Sequence, residues 1–262
     1  MSETTKPNWE HLLKTAVTEP GTISAAYSAF HDYSMGNQIL AACQCNERSI
    51  SIGPINTFVG WKAVGRNVKR GEKAISLCMP VTHKRKETDT QTGEEKDKVF
   101  TLFIYRNNWF VMSQTEGADV TPADLPNWKI TTALETLNIT QVEFTSANGN
   151  AMGYASNREV TVSPLNPMPI KTLIHEMAHV ELGHTAEGKT MSEDERTPKD
   201  LREAEAESVA LLCLESLGLP GADNCRGYIQ SWYGHAPIPE KSCQRIFGAA
   251  DRILKAGYQK AA

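Results

Sequence analysis

The run His175-Glu176-Met177-Ala178-His179 carries the clearest chemistry in this sequence. Histidines four positions apart on a helix project from one face, so both imidazoles can grip one Zn²⁺ while Glu176 reaches a water on that metal. Leu173, Ile174, Met177, Ala178 and Leu182 give the helix an apolar side to bury. A zinc with three protein ligands acidifies a water in its fourth position. Glu176 would take that proton as general base and pass it to a leaving amine, which is peptide hydrolysis. Tyr154, His184 and Tyr233 are candidates to stabilise the oxyanion.

The third ligand must come from elsewhere. His184 is one candidate, but the pattern HExxHxxGxxH needs glycine and histidine where Leu182 and Thr185 stand. The helical run around residues 202–210 offers Glu203, Glu205 and Glu207. Glu205 shares a stripe with Val209, Leu212 and Cys213, and Glu203 shares one with Ala206, Ala210, Cys213 and Leu217. The two are rotated by roughly 200° from each other, so only one can face the metal, and spacing does not choose between them. Glu207 is placed to orient a metal-bound histidine from behind.

A different chemistry is concentrated earlier in the chain. Lys62, Arg66, Lys69, Arg70 and Lys73 crowd five cations into twelve residues opposed by Glu72, with Phe58 and Trp61 beside them. Cations can follow a phosphate backbone while aromatic faces stack on bases, the combination that binds single-stranded DNA. Asn37 and Gln38 could contact bases or cap and cross-link helices, and Gln44 reads as structural.

These groups need elements to hold them. Residues 9–17 and 23–45 read as helices, residues 74–79 as a strand, and residues 99–105 and 109–112 as a hairpin turning at Arg106-Asn107-Asn108. The polar run 83–98 reads as a hairpin tip or surface loop. Residues 129–137, 171–182, 200–217 and 240–259 read as helices, with strands at 141–145, 151–155 and 159–163 and a helix stop at Gly183. Residues 113–127, rich in Gly, Pro, Asp and Thr, read as a linker.

The charge changes sign at that same place. Residues 1–112 carry 14 Lys+Arg and 11 Asp+Glu, a net of +3, whereas residues 113–262 carry 13 and 20, a net of −7. The total of −4 over 262 residues excludes a histone-like coat, and 40% hydrophobic residues suffice for a globular core. The polar start and the lack of a long apolar run lead us to expect a cytoplasmic protein with no membrane partner. The six cysteines show no CxxC pairing and read as reduced, buried thiols.

Leu173–His179 followed by the Glu-x-Glu-Ala-x-x-x-Ala run of residues 203–210 resembles the gluzincin-like metallopeptidase domains of the ImmA/IrrE type. That resemblance implies Glu205 as the third ligand beside His175 and His179, with Glu203 as runner-up. The segments Tyr33-Ser34-Met35-Gly36-Asn37-Gln38, Gln44, residues 57–75 and Ser113-Gln114-Thr115-Glu116-Gly117 are similar to the N-terminal domain of ArdC-type antirestriction proteins. Together the resemblances imply an α+β, two-domain chain from a mobile element. A single-stranded-DNA-binding domain would span residues 1–115, a linker 116–127 and a zincin-like metallopeptidase domain 128–262. It would hold one Zn²⁺, or another divalent metal, and would act on DNA and on a protein substrate. The alternatives are a dedicated peptidase whose N-terminal domain binds a protein, and a non-catalytic DNA-binding protein with a structural zinc.

Overall fold

A computed structural model describes residues 6–88, 95–121, 124–145, 151–185, 198–234 and 236–259. It is a mixed helix and sheet fold whose contacts divide into two compact units. One comprises Gln44–Val120 with the first few residues, and the other joins Asn8–Cys43 to Thr121–Ala262.

The first unit is built on antiparallel pairing. Strand β1 (Ile55–Thr57) and strand β3 (Ile75–Thr88) flank β4 (Glu95–Val111) in the order β1-β4-β3. The expected turn at Arg106-Asn107-Asn108 is instead a bulge inside one continuous strand. Ile75 faces Trp109 and Ser76 faces Asn107, leaving Asn108 as the extra residue. The hairpin connection lies between Thr88 and Glu95, within the polar run, and residues 89–94 lie outside the described set. A short helix, α4 (Phe58–Ala63), starts at Thr57, whose hydroxyl accepts from Gly60 N at 3.0 Å. Strands β2 (Arg66–Val68) and β5 (Thr115–Gly117) pair antiparallel, so part of the expected linker is a strand of this unit. Ile55, Trp61, Ile75, Leu77, Trp109 and Val111 are buried here. Gln44 bridges to Ser76, donating to its carbonyl and accepting from its N–H at 2.9 Å each, the structural role its sequence context suggested.

The second unit carries helices α1 (Trp9–Thr18), α2 (Thr22–Phe30), most of α3 (Met35–Glu47), α5 (Ile130–Thr136), α6 (Pro169–Leu182), α7 (Lys199–Leu217), α8 (Ala222–Tyr233) and α9 (Glu240–Ala256). Its sheet runs β6-β8-β7, with β6 (Thr140–Gln141) parallel and β7 (Gly153–Ser156) antiparallel to β8 (Glu159–Val162). The expected single helix over residues 23–45 is broken between Phe30 and Met35. Helix α8 escaped the sequence reading. Its only buried side chains are Cys225, Arg226 and Ile229, too few to leave a clear apolar period.

The linear division at residue 115 does not match the compaction, because the N-terminal helices bury their apolar faces in the C-terminal half. Arg226 of α8 donates to the carbonyls of Ala16 and Val17 and pairs with Glu215 of α7. Tyr27 and Tyr258 hydroxyls meet at 3.1 Å, Met35 N donates to Asp251 Oδ1 at 3.1 Å, and the Trp9 and Phe247 rings lie 5.8 Å apart. Helix α7 runs through the core of this unit, buried almost continuously from Ala204 to Leu214. All six cysteines are free, and five are buried. Among the described residues no helix is long and apolar enough to cross a membrane.

Candidate metal centre

Helix α6 presents His175 and His179 one turn apart, while Leu173, Ile174, Met177 and Ala178 bury its other side. The two Nε2 atoms are 3.1 Å apart. Glu203 of α7 reaches them, with Oε2 at 3.4 Å from His175 Nε2 and 3.6 Å from His179 Nε2. One ligand atom from each of these three residues lies within 4.8 Å of the other two, so two imidazole nitrogens and a carboxylate oxygen converge on one point. That donor set suits Zn²⁺ or a similar divalent ion and leaves a coordination position free of protein.

Glu205 is not part of this convergence. Fully buried on the opposite side of α7, it accepts from His184 Nε2 at 2.8 Å and lies 3.4 Å from Arg245 Nη1 of α9. The geometry therefore departs from the ligand that the ImmA/IrrE resemblance implied and favours Glu203. The reason is the roughly 200° rotation between the two positions, which turns one toward α6 and the other toward α9.

The remaining polar groups hold the imidazoles from behind. Glu207 Oε2 is 2.6 Å from His175 Nδ1, and its other oxygen pairs with Lys171 Nζ at 2.6 Å. Glu203 and Glu207, four residues apart on α7, thus bracket the two nitrogens of one ring. Gly183 ends α6 with φ +76°, a left-handed turn that lets His184 N donate back to His179 O at 2.9 Å. The His184 ring then faces that of His179, with the two Nδ1 atoms 2.9 Å apart. When His179 offers Nε2 to a metal, its Nδ1–H donates to His184 Nδ1, and His184 Nε2–H donates to Glu205.

Electrostatics follow from this packing. Burial opposes charge on His175, but hydrogen bonds to Glu203 and Glu207 and the charges of Glu207 and Glu176 outweigh it and raise its pKa to about 9. Glu176 is buried, which raises its pKa against the lowering influence of His175 and His179. Burial also lowers His184 against the pull of Glu205. The carboxyls of Glu203, Glu205 and Glu207 all lie below the usual range. Histidine hydrogen bonds lower Glu203 directly, and for Glu205 and Glu207 such bonds and nearby cations overcome burial.

A cleft of about 320 Å³ opens onto the site, lined by Gly153, Tyr154 and Ala155 of β7, by His175, Glu176 and His179, and by His184, Thr185, Lys199, Arg202 and Glu203. A Cβ on Gly153 would meet Thr172 Cγ2 at 2.6 Å and Thr161 O at 2.8 Å, so only glycine lets edge strand β7 lie this close to α6. Tyr154 stands in the cleft with its hydroxyl 3.2 Å from Thr145 Oγ1. Tyr233 is not among the lining residues, and its hydroxyl is buried without a partner among the described residues. Sequence reasoning missed Lys171, although it continues the 171-175-179 stripe of α6 at helical spacing. No local signal marked Arg245 on a distant helix.

The expected DNA-contacting residues separate into two groups. Phe58 is 51% exposed, and Lys62, Arg70 and Lys73 are exposed. Trp61, in contrast, is 2% exposed, with its indole N–H donating to Phe110 O at 2.7 Å. Arg66 spends its guanidinium on Thr115 and the Ala118 carbonyl, and Lys69 donates to Ser113 O at 2.9 Å. Asn37 and Gln38 belong to the other compact unit, where Gln38 is buried and donates to Tyr33 O at 2.9 Å.

Residues 2–108 match the family of the N-terminal domain of anti-restriction factor ArdC. No match was found among curated protein sequences. The fold is similar to the metal-free crystal structure of the antirestriction ArdC protein from the R388 plasmid, with a TM-score of 0.55 and 20% identity over 96% of both chains. It is likewise similar to the Mn(II)-bound structure of that protein, with a TM-score of 0.55 and 16% identity over 96% of this chain and 98% of that one. Residues 2–108 thus carry an ArdC N-terminal domain, and the chain shares the fold of the R388 ArdC protein over nearly its full length.

Proposed function

We propose that this protein is an antirestriction protein that binds single-stranded DNA through its Gln44–Val120 unit and carries a metal-dependent peptidase site in its helical unit. The observation that carries the reading is the convergence of His175, His179 and Glu203 on one point, with the buried carboxylate of Glu176 beside it in an open cleft. The relative named above as Mn(II)-bound supports a divalent metal in such a fold.

A divalent cation held by His175, His179 and Glu203 would supply Lewis acidity to a water and to a substrate carbonyl. Around it the protein's own groups have distinct tasks. Glu176, whose proton affinity is raised by burial, accepts a proton in the cleft and returns it to a leaving amine. Glu207 fixes the His175 ring, and His184 with Glu205 fixes that of His179. Tyr154, which lines the cleft, carries a hydroxyl that could donate to a developing oxyanion.

In the other unit, Phe58, Lys62, Arg70 and Lys73 offer a stacking face and phosphate-binding cations. The test has two arms. Metal analysis of purified protein should give one divalent ion per chain, lost in His175→Ala, and peptide cleavage by the loaded protein should vanish in Glu176→Gln. Single-stranded DNA should shift in a gel, and the shift should weaken when Lys62, Arg70 and Lys73 are neutralised. A folded protein that takes up no metal overturns the first arm, and an unchanged shift overturns the second.

A further inference from the structure

We propose that the cleft contains an anionic subsite formed by Arg202 and Lys199, and that the peptide it accepts presents a carboxylate there, next to the bond to be broken. The proposal rests on the peptidase reading above and names the substrate class of that site.

Both cations line the cleft, and they sit three residues apart on the first turn of α7, on one side of the helix. Arg202 lines the same cleft as His175, His179 and Glu203, the residues that converge on one point. Its Nε is buried and has no hydrogen-bond partner among the described residues. Other arginines of this unit are committed: Arg158 and Arg252 to Glu181, Arg226 to Glu215, and Arg245 to Glu205 and the Leu182 carbonyl. Arg202 as a whole is partly exposed and lines the cleft, and a guanidinium with an unpartnered N–H is best matched by a carboxylate that engages its planar fork.

The surroundings favour an anion at this spot. Helix α7 begins at Lys199 after Pro198 with no side-chain cap, so its first-turn N–H groups and the positive end of its dipole lie at the same end of the cleft. Asp200 is the acidic residue of that turn and is not among the lining residues. The two carboxylates that do line the cleft, Glu176 and Glu203, already interact with His175 and His179. A substrate carboxylate therefore meets two cations that have no carboxylate partner among the described residues. An amide in its place would leave Arg202 Nε desolvated and short of a charged partner.

The carboxylate can belong to an Asp or Glu side chain or to the C-terminus of the peptide. The experiment measures fluorescence-anisotropy binding of labelled alanine-based peptides to the Zn²⁺-loaded Glu176→Gln protein. One set carries a single Glu or its Gln counterpart at successive positions in a C-terminally amidated peptide, and another compares free-acid with amidated ends. Binding should be roughly tenfold tighter for the carboxylate member of a pair at one position. That preference should collapse in Arg202→Gln and be partly restored in Arg202→Lys, while affinity for the neutral peptide and metal content stay unchanged. Equal binding of acid and amide members throughout, no binding of any peptide, or a preference that survives Arg202→Gln overturns the proposal. Cleavage by the wild-type protein is followed in parallel. Glu176-dependent cleavage without a carboxylate preference removes the subsite and leaves the peptidase, whereas an Arg202-dependent preference without cleavage removes the peptidase and leaves the subsite.

Discussion

His175, His179 and Glu203 differ from Glu205 and Glu207 in what they touch, and that difference makes separate predictions. Glu203→Ala removes one of the three converging donors, so metal should be lost on gel filtration while the helical unit stays folded. Glu207→Gln leaves all three donors in place but removes the charge 2.6 Å from His175 Nδ1. Competition with a chelator should show metal affinity lowered by about 10–100-fold. Glu205→Ala is expected to act differently, by destabilising the fold. It strips a fully buried carboxylate from His184 and Arg245, a loss of about 3–5 kcal/mol that denaturant unfolding would register. If Glu205→Ala abolished metal binding without a stability loss, the ligand assignment would revert to Glu205.

At the scale of elements, α4 shows how one short segment divides its residues between fold and ligand. Trp61 faces inward and ties α4 to β4 through Phe110 O, whereas Phe58, one turn earlier, is half exposed. Trp61→Phe should cost about 1–3 kcal/mol in the stability of its unit by leaving that carbonyl unpaired. Phe58→Ala should leave the melting temperature unchanged and weaken single-stranded DNA binding by the loss of one stacked base, about 1–3 kcal/mol in titrations at fixed salt. The reverse pattern would place the indole, not the phenyl ring, at the DNA. The helix carrying the histidines was legible in advance because Pro169 starts it, Gly183 stops it and its apolar residues recur at helical spacing. The hairpin was legible in outline only. Asn107-Asn108 carries the same residue types whether a chain turns or bulges, and the pairing of Ser76 with Asn107 decides for a bulge.

For the whole molecule, the compact units cut across the order of the chain. Helices α1, α2 and the start of α3 pack in the unit that holds the metal-site residues, secured by Arg226, Tyr258 and Asp251 respectively. Deleting residues 8–43 should therefore unfold the helical unit and abolish metal uptake, visible as lost cooperative melting, rather than remove a separable DNA-binding domain. A chain lacking these residues that still bound one metal per molecule would contradict this assignment. By itself the sequence determined the local features: the two histidines on one helix face, the glutamate between them, the candidate carboxylates on the following helix, the basic aromatic segment and the change of charge sign. Each of these rests on helical spacing or on composition within a few residues, which the chain carries wherever it folds. Only the tertiary structure decided which glutamate faces the imidazoles, which cations are spent on backbone carbonyls and which half the first helices join. Those outcomes depend on partners distant in sequence, such as Arg245 for Glu205 and Phe110 for Trp61, and no local period encodes a contact across that separation.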